Sequence, residues 1–393
     1  AGLVSIWHSL HDMSRKNRII AGLTLEVTER LRRRAAAEGA DEVTLNTAEL
    51  AIELDMLVRE AGVRPFLHTV FAAPIMREGR VSAVAVEDKT GRRAIAAKYF
   101  IDATGDGDLV VRAGFPCWAN PGALLQPPTA CFLLRGLPAL KEKDPTFRLG
   151  TAVHDTRRPE ALTSGFLWDA CVPGVPELRL VAGTRMHGAN CADADELTRA
   201  EMEGRRQIRT ILDILRTYHE GGSAAAIGAI ATCIGIRETR HMTGLHTLTE
   251  EELLSGTRFP DAIANGTYQV DIHHSDRPGI TFRYLDGRET HHIPGQSTPV
   301  GRWRPETSEN PPFWQIPYRC LVPQGSANVL AAGRIISVDR GAYGAVRVMV
   351  NTNQTGEAAG TAAHLALTSG CDVAAVDTAR LRSMMAKQGS IIL

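Results

Sequence analysis

Apolar residues recur at helical spacing in two stretches near the start of the chain. Residues 14–38 and 47–61 both show the period of an amphipathic helix. Thr47 can cap the start of the second helix, and Gly62 can end it. The apolar faces consist of Ile20, Leu23, Val27 and Leu31 in the first helix and of Leu50, Leu54, Leu57 and Val58 in the second.

The pattern then changes to short β-rich runs. A strand is predicted over residues 66–70, and three further runs, residues 71–76, 80–87 and 94–98, are joined by sequences typical of hairpin turns. These three runs predict a three-stranded antiparallel meander. The meander leads directly into another predicted strand, residues 99–103.

The middle of the chain is less regular and is rich in Pro, Gly, His and Arg. One amphipathic helix is predicted over residues 195–219. Thr247 and Glu250 have the spacing of a capping box, which predicts a second helix start. We interpret this region as a separate domain that faces the substrate.

Regular patterning returns near the end of the chain. A buried strand is predicted over residues 328–332, followed by Gly333 and Arg334, a loop over 335–351 and a helix over 352–367. Small residues on one stripe of that helix let its backbone approach either a sheet or a cofactor, and the pattern does not decide between the two. The stripe consists of Gly356, Gly360 and Ala363.

The composition excludes several classes of protein. The 393 residues carry a formal net charge of zero, with 44% apolar and 22% charged residues. A nucleic-acid or membrane-surface protein usually has a basic excess, and this chain has none. The seven cysteines contain no C-x-x-C pair, which favours free thiols in a reducing compartment and predicts a cytoplasmic location.

A tight acidic loop follows the strand at residues 99–103. Its sequence is A-T-G-D-G-D, and the strand at 328–332 similarly ends in A-A-G-R. Loops at the carboxyl ends of parallel strands hold nucleotide cofactors, although the chain lacks the G-x-G-x-x-G fingerprint. The start of the helix that follows the second strand can stabilise an anionic oxygen, such as the N1/O2 edge of a reduced flavin.

With these motifs the chain resembles the FAD-dependent oxidoreductases of the glutathione-reductase-like two-dinucleotide-fold class, and more narrowly their xanthan-lyase-associated type. The resembling stretches are residues 97–116, 236–274, 316–323 and 328–367. The resemblance implies an α/β fold in which a parallel sheet is combined with a three-stranded antiparallel meander. It implies an FAD-binding domain formed by residues 1–115 and 325–393, with a substrate domain, residues 116–324, inserted between the two parts.

The resemblance also implies which residues contact FAD. Asp106 is expected to structure its loop and contact the cofactor, and Asp108 to cap the following helix. The last helix starts with a sequence that departs from the commoner cysteine-bearing form of the family, so a backbone role is expected there rather than particular side-chain contacts. The implied cofactor-binding residues are Ala103, Thr104, Gly105, Asp106, Gly333, Arg334, Gly344, Arg347, Asn351, Thr352, Gln354, Thr355 and Gly356.

Family members begin with a strand–glycine loop–helix–strand unit that binds the pyrophosphate and ribose of FAD. By the resemblance, this chain starts just downstream of that unit, and the expected fold is N-terminally truncated. Because the first residue is Ala1 rather than Met, we interpret the chain as a fragment of a longer protein. The alternative is that a partner chain supplies the missing unit.

Candidate catalytic residues lie in the run R-E-T-R-H. Its alternating charges fit either a salt-bridged strand or a substrate site, and the resemblance favours a site for an acidic or highly polar substrate. Arginine suits such a site because its guanidinium group binds carboxylates with two hydrogen bonds. The candidates are Arg237, Arg240 and His241.

Two pairs of adjacent histidines follow, His273-His274 and His291-His292. Neighbouring residues on a strand point to opposite faces, so neither pair is suited to bind one metal ion, and we predict no metal. We select His273 as a candidate proton donor beside the flavin. A histidine-based metal hydrolase has no further support, because no H-E-x-x-H, G-x-S-x-G or P-loop sequence occurs.

The sequence thus predicts an FAD-dependent oxidoreductase that transfers a hydride between the flavin and an unidentified polar small molecule. It predicts no nucleic-acid or membrane partner and leaves a homo-oligomer open. The alternative is a cofactor-free or degenerate fragment or subunit that keeps the flavoprotein fold for binding.

Overall fold

The computed structural model describes residues 2–163 and 165–393, and in this part the chain forms ten α-helices and twenty short strands. The helices are α1 (Leu23–Arg33), α2 (Thr47–Glu60), α3 (Asp108–Arg112), α4 (Leu137–Lys143), α5 (Leu149–Val153), α6 (Ala194–Tyr218), α7 (Glu250–Leu254), α8 (Arg340–Val346), α9 (Met349–Ser369) and α10 (Thr378–Lys387). The strands are β1 (Ile6–Trp7), β2 (Ala37–Glu38), β3 (Val43–Leu45), β4 (Val70–Arg77), β5 (Arg80–Asp88), β6 (Gly91–Ala96), β7 (Phe100–Asp102), β8 (Cys117–Trp118), β9 (Phe132–Arg135), β10 (Trp168–Cys171), β11 (Leu178–Ala182), β12 (Ala226–Ile230), β13 (His241–Met242), β14 (Ala262–Gly266), β15 (Val270–His273), β16 (Ile280–Arg283), β17 (Arg288–His292), β18 (Val300–Arg302), β19 (Trp314–Pro317) and β20 (Val329–Ala331).

The two strand ends that the sequence singles out lie side by side. β7 and β20 pair in parallel, with Asp102 opposite Ala331 at their carboxyl ends. Apolar residues of both strands and of α3 form one core cluster, which includes Phe100, Val110 and Val329. The loops after the two strands therefore leave the sheet at the same edge, as the sequence predicts.

The predicted antiparallel meander is also present, as strands β4, β5 and β6 in sequential order. The buried Asn328, just before β20, ties it to the parallel pair. Its side chain accepts from Val81 N at 3.2 Å and donates to Val81 O at 2.7 Å and to Lys98 O at 2.9 Å. A single amide thus joins the meander to the strands that carry the candidate site.

The N-terminal helices differ from their predicted bounds. The first helix covers only α1, because residues 14–22 form turns and extended chain. In the second, Asn46 rather than Thr47 is the cap, and its side chain accepts from Ala48 N and Glu49 N. The strand expected over residues 66–70 begins only at Val70 and continues as β4.

Two further predictions are wrong in detail. The capping box is formed by Thr249 and Glu252, two residues later than expected, and it starts α7. The predicted loop at 335–351 contains helix α8, and α9 already begins at Met349. Asp339 caps α8 by accepting a hydrogen bond from Ala342 N at 2.8 Å.

The segment predicted as the substrate domain contributes to two hydrophobic cores. Residues between Ala130 and Ile234 form a core around α6 and the sheet in the order β10-β11-β9-β12. Residues from Leu248 onward pack instead with α8, α9 and α10 in the largest core. The domain limits 1–115, 116–324 and 325–393 stay a prediction.

Candidate functional site

The loop after β7 is organised by Asp102, which is 1% exposed. Its Oδ1 accepts from Thr104 N at 3.0 Å and from Thr104 Oγ1 at 2.7 Å, and its Oδ2 accepts from Val110 N at 2.9 Å. Thr104 Oγ1 in turn accepts from Asp108 N at 3.1 Å, which begins α3. Asp108 is therefore the first residue of the helix and not its side-chain cap.

The loops after β7 and β20 meet through Asp106 and Arg334. Arg334 Nη2 lies 3.2 Å from Asp106 Oδ1. Gly105 has a positive φ of 84°, and a Cβ there would approach Arg334 Nη2 to 2.5 Å. Gly333 has a φ of 82°, and a Cβ there would meet no atom within 4 Å. The second strand end thus borders open space and gives a bound group access to the backbone.

Arg334 is held as a cation in this contact. Burial lowers its pKa, but the neighbouring Tyr343 and Asp106 outweigh burial, so the pKa lies above its usual value. Arg334 Nη1 also donates to Arg237 O at 3.3 Å, and Tyr343 Oη donates to the same carbonyl.

The R-E-T-R-H segment packs against the same loop. Thr239 Oγ1 donates to Asp106 Oδ1 at 2.8 Å, while Arg240 Nη1 lies 3.3 Å from Asp106 O and 3.1 Å from Asp108 Oδ1. Arg240 therefore fixes the loop after β7. His241 is fully buried, with Nε2 2.9 Å from Glu238 Oε1 and its ring stacked on Trp118.

Arg237 and His273, the other two predicted catalytic residues, belong to one buried polar cluster. Arg237 Nη1 donates to Pro127 O at 2.6 Å and to Thr129 Oγ1. Arg185 Nη1 donates to the same Thr129 Oγ1 at 2.9 Å, and Arg185 Nη2 lies 3.0 Å from His273 Nδ1. The structure brings Arg237 and His273 into one cluster through Arg185 and Thr129. The side chains of Arg240 and His241 have other partners, in the loop after β7 and at Glu238.

Asp271 completes this cluster. Its Oδ2 accepts from Arg347 Nη2 at 2.9 Å and from Tyr268 Oη at 3.1 Å, and its Oδ1 lies 3.2 Å from His273 Nε2. Arg347 Nη2 also lies 3.3 Å from Gln126 Oε1. We define the cationic cluster as Arg185, Arg237, Arg347, Asp271, His273 and Gln126.

The charges of the cluster shift its pKa values strongly. Burial alone would raise the pKa of Asp271, but His273 and the arginines hold it well below its usual range. Burial and the positive charge of Arg237 and Arg185 hold the pKa of His273 well below its usual value. Burial, together with Arg347, lowers the pKa of Arg237 to about 10, so it remains charged at neutral pH.

The predicted cofactor residues on α8 and α9 have different surroundings. Gly344 packs against β15, where a Cβ would lie 2.7 Å from Asp271 N. Gln354 bonds both backbone groups of Asn265, with Oε1 accepting at 3.0 Å and Nε2 donating at 2.9 Å. Because these contacts are within the protein, Gly344 and Gln354 have structural roles here.

The start of α9 nevertheless reaches the second strand end. Thr355 Oγ1 accepts from Gly333 N at 3.0 Å and donates to Thr352 O at 2.7 Å. Asn351 Nδ2 donates to Ala345 O at 3.0 Å. Gly356 faces a groove of about 840 Å³ between α1 and α9, and a Cβ there would meet no atom within 4 Å. Gly356 and Gly360 of the small-residue stripe therefore border open space, whereas Ala363 packs against the largest core.

Four members of the site are not among the residues predicted from the sequence: Gln126, Arg185, Tyr268 and Asp271. None belongs to a recognisable motif, and Arg185 and Asp271 lie on strand ends or loops far apart in the sequence. One available signal was Asp271 itself, a carboxylate two residues before His273 and therefore on the same face of β15.

Metal ligands are not clustered in residues 2–163 and 165–393, where no group of three His, Cys, Asp or Glu side chains could hold an ion. In the same ranges, no helix is long and apolar enough to cross a lipid bilayer.

The strand ends, the loops that meet at them and the adjoining helix define a nucleotide-cofactor protein of the α/β class. Residues 1–385 match the family described as FAD dependent oxidoreductase, and the protein belongs to this family. Its cofactor is accordingly FAD. None of the curated proteins compared with the chain matches it.

Solved structures similar to the chain include flavoproteins. BexE, studied for oxidation during BE-7585A biosynthesis, is 14% identical, with a TM-score of 0.35 over 61% of this chain and 46% of its own. The geranylgeranyl bacteriochlorophyll reductase-like protein of Thermoplasma acidophilum is 10% identical, with a TM-score of 0.42 over 97% and 66%. The glycerol-3-phosphate dehydrogenase of Bacillus halodurans, complexed with FAD, is 13% identical, with a TM-score of 0.28 over 50% and 38%. The chain spans about half to two thirds of the length of the first two.

Polar atoms without partners indicate that the site suits a polar cofactor. Near the start of α9, Asn351 Oδ1 is buried without a hydrogen-bond partner among the described residues. The same holds for Trp7 Nε1, whose side chain belongs to one core cluster with Val348 and Val350. Since buried polar groups are normally paired, these atoms and the open space at Gly333 fit a group such as FAD.

Proposed function

We propose that the protein is an FAD-dependent oxidoreductase that transfers a hydride between FAD and a polar small molecule. When bound, FAD supplies the hydride chemistry at its flavin N5. The observation that supports this proposal best is the junction of the loops after β7 and β20 beside the cationic cluster. Substrate and cofactor would then lie next to each other.

The cofactor side of the site consists of the two loops and α9. Asp102 fixes the backbone after β7, and Thr355 fixes Gly333 after β20. Arg334 places a positive charge between the loops. These residues would orient FAD and favour negative charge on it.

The substrate side consists of Arg237, Arg347 and their neighbours. Both arginines keep part of their side chain exposed, so a polar substrate can reach them. Each ring nitrogen of His273 lies near a charged side chain, Nδ1 at 3.0 Å from Arg185 Nη2 and Nε2 at 3.2 Å from Asp271 Oδ1. Because Arg185 donates to Nδ1, the neutral ring carries its proton on Nε2, which faces Asp271. We therefore assign His273 a positioning role, and its role as a proton donor has no support in this geometry.

The chain is expected to bind FAD through the open backbone at Gly333. Gly333→Val places a side chain in that space and should weaken FAD binding at least about tenfold, which flavin absorbance and fluorescence titration would measure. Gly325→Val is the matched control, since Gly325 also has a positive φ, of 77°, with no atom within 4 Å of a Cβ. Both variants should lose similar stability, and only Gly333→Val should lose FAD.

The alternative function is a cofactor-free subunit that keeps the fold for binding. A colourless protein that takes up no added FAD would support it and overturn the enzyme proposal for this chain. Equal FAD binding by Gly333→Val and the original chain would exclude the assigned position of the cofactor.

The free state of all seven cysteines agrees with the proposed reducing, cytoplasmic location, and a homo-oligomer remains a proposal.

A further inference from the structure

The cationic cluster contains more positive than negative charge. The guanidinium groups of Arg237 and Arg347 lie around one carboxylate, that of Asp271, and so does Arg185, whose pKa burial lowers well below its usual value. The charge excess therefore rests on Arg237 and Arg347. Other nearby carboxylates are engaged elsewhere, since Asp106 contacts Arg334 and Glu238 contacts His241. Uncompensated charge in a protein interior is costly, because the interior solvates an ion far less well than water does.

The same cluster contains buried polar atoms without a hydrogen-bond partner among the described residues, namely two donors, Gln126 Nε2 and Arg347 Nε, and one acceptor, Asp271 Oδ1. Gln126 is completely buried, and its Nε2 has no partner among the described residues. Its orientation is fixed, because Oε1 faces two donors, His273 N at 3.4 Å and Arg347 Nη2 at 3.3 Å. Arg347 Nε is likewise buried without a partner, although the side chain is 11% exposed.

We propose that the cationic cluster binds a carboxylate group of the substrate, with Gln126 Nε2, Arg347 Nε and the free side of the Arg237 guanidinium as its donors. The inference rests on the proposed function, which places this cluster at the substrate side of FAD. It specifies the substrate as an organic acid.

A carboxylate fits better than a phosphate for two reasons. The two buried donors without partners, Gln126 Nε2 and Arg347 Nε, can each take one oxygen of a carboxylate, and the partly exposed Arg237 can add a second bond to one of them, whereas a phosphate presents three free oxygens. A carboxylate also carries a single charge, so it is less costly to remove from water than a phosphate dianion. Its charge compensates part of the arginine excess.

The test measures binding of succinate by the purified chain, using calorimetry and thermal unfolding, with succinamide and sulfate as comparison ligands. Succinate should bind and raise the unfolding temperature, and succinamide should bind at least about tenfold more weakly because it lacks charge. Equal binding of succinamide, or equal binding of sulfate, would overturn the carboxylate assignment.

Gln126→Glu is the decisive variant, because it places a carboxylate of the same shape beside Arg347. It should fold with at least the original stability and lose succinate binding at least about tenfold. Arg347→Gln should lose succinate binding as well. The control is Arg92→Gln, which removes an exposed ion pair with Glu87 on the meander and should leave binding unchanged. Unchanged binding by folded Gln126→Glu would overturn the inference.

FAD uptake, followed by absorbance in the same samples, separates this inference from the proposed function. A chain that binds succinate through Gln126 and Arg347 but no FAD would keep the inference and reject the oxidoreductase. A chain that binds FAD but not succinate would reject the inference alone.

Discussion

At the scale of single residues, Asp102 determines the shape of the loop after β7. Its carboxylate is buried and accepts hydrogen bonds from two backbone amides and one hydroxyl group, which connect the end of β7 to the start of α3. Asp106, which the motif singles out, instead contacts Arg334 and Thr239 at the surface of the loop. Asp102 thus organises the loop from inside the protein, whereas Asp106 faces the site.

Asp102→Ala should lower the free energy of unfolding by about 3 kcal/mol, because it leaves buried donors without an acceptor. Urea unfolding at neutral pH measures the change. Asp144→Ala is the matched control, since Asp144 accepts from the N and Oγ1 of Thr146 in the same way but is exposed. The control should lose less than about 1 kcal/mol. Similar losses in both variants would contradict the role given to Asp102.

The sequence predicts part of the site at this scale. Glycines and charged residues in the A-T-G-D-G-D and A-A-G-R motifs can be recognised because their spacing is local. Gln126 and Arg185 could not be found in this way, since their partners in the cluster are distant in sequence, whereas Asp271 has a neighbour in sequence, His273, among its contacts. The distance from Arg185 to its contact His273, for example, is 88 residues.

At the scale of elements, α9 connects the second strand end to the protein interior. Thr355 on α9 accepts the hydrogen bond of Gly333 N, so the turn after β20 depends on the position of the helix. Apolar residues of α9 contribute to the largest core, which keeps the helix in place. The geometry of the turn after β20 therefore depends on packing well beyond the turn itself.

Thr355→Val keeps the shape of the side chain but removes the acceptor for Gly333 N. It should lower the free energy of unfolding by about 1–2 kcal/mol and weaken FAD binding. Thr368→Val on the same helix is the control, because Thr368 is exposed and its Oγ1 only donates to carbonyls of the helix. Unfolding curves and FAD titrations compare the two. If Thr355→Val behaved like the control in both measurements, the hydrogen bond between Thr355 and Gly333 would contribute to neither stability nor FAD binding.

Sequence patterns predict elements well where one face is apolar. The meander and α6 are recognisable for that reason, whereas β20 is recognisable as a short continuous apolar run. Helix α8 was missed because six of its seven residues, Gly341 to Val346, are buried, so no polar face alternates with an apolar one. The capping box was placed two residues early because Thr247 and Thr249 are each followed by a glutamate three residues later. Only the contacts of the folded helix distinguish them.

At the scale of the whole molecule, buried histidines make stability depend on pH. Six of the thirteen histidines have a lowered pKa, in each case mainly because burial disfavours the charged ring: His154, His187, His219, His273, His274 and His292. For His274 the pKa is lowered to about 4. The unfolded chain therefore binds more protons than the folded protein below the usual histidine pKa of about 6.5.

The direction of the pH dependence follows from these lowered pKa values. Stability from these groups is fully present above about pH 6.5 and is lost as the pH falls through that value toward about 4. Urea unfolding at a series of pH values should show this decrease. The slope of the unfolding free energy against pH reports how many more protons the unfolded chain binds, and His274→Gln should reduce that number by up to one. His364→Gln, at an exposed position of α9, is the control and should leave the slope as it is. A stability that rises on acidification in this range would contradict the prediction.

The parallel pairing of β7 with β20 also determines when the protein can acquire its cofactor. Arg334 and Asp106 are 228 residues apart, so a ribosome must synthesise most of the chain before the two loops can meet. Until β20 emerges, β7 lacks that partner, and closing so long a loop is slow compared with forming the local meander. Newly made chains should therefore first be competent to load FAD after synthesis of β20. Cofactor loading would then report that translation has passed that point and that β7 and β20 have paired.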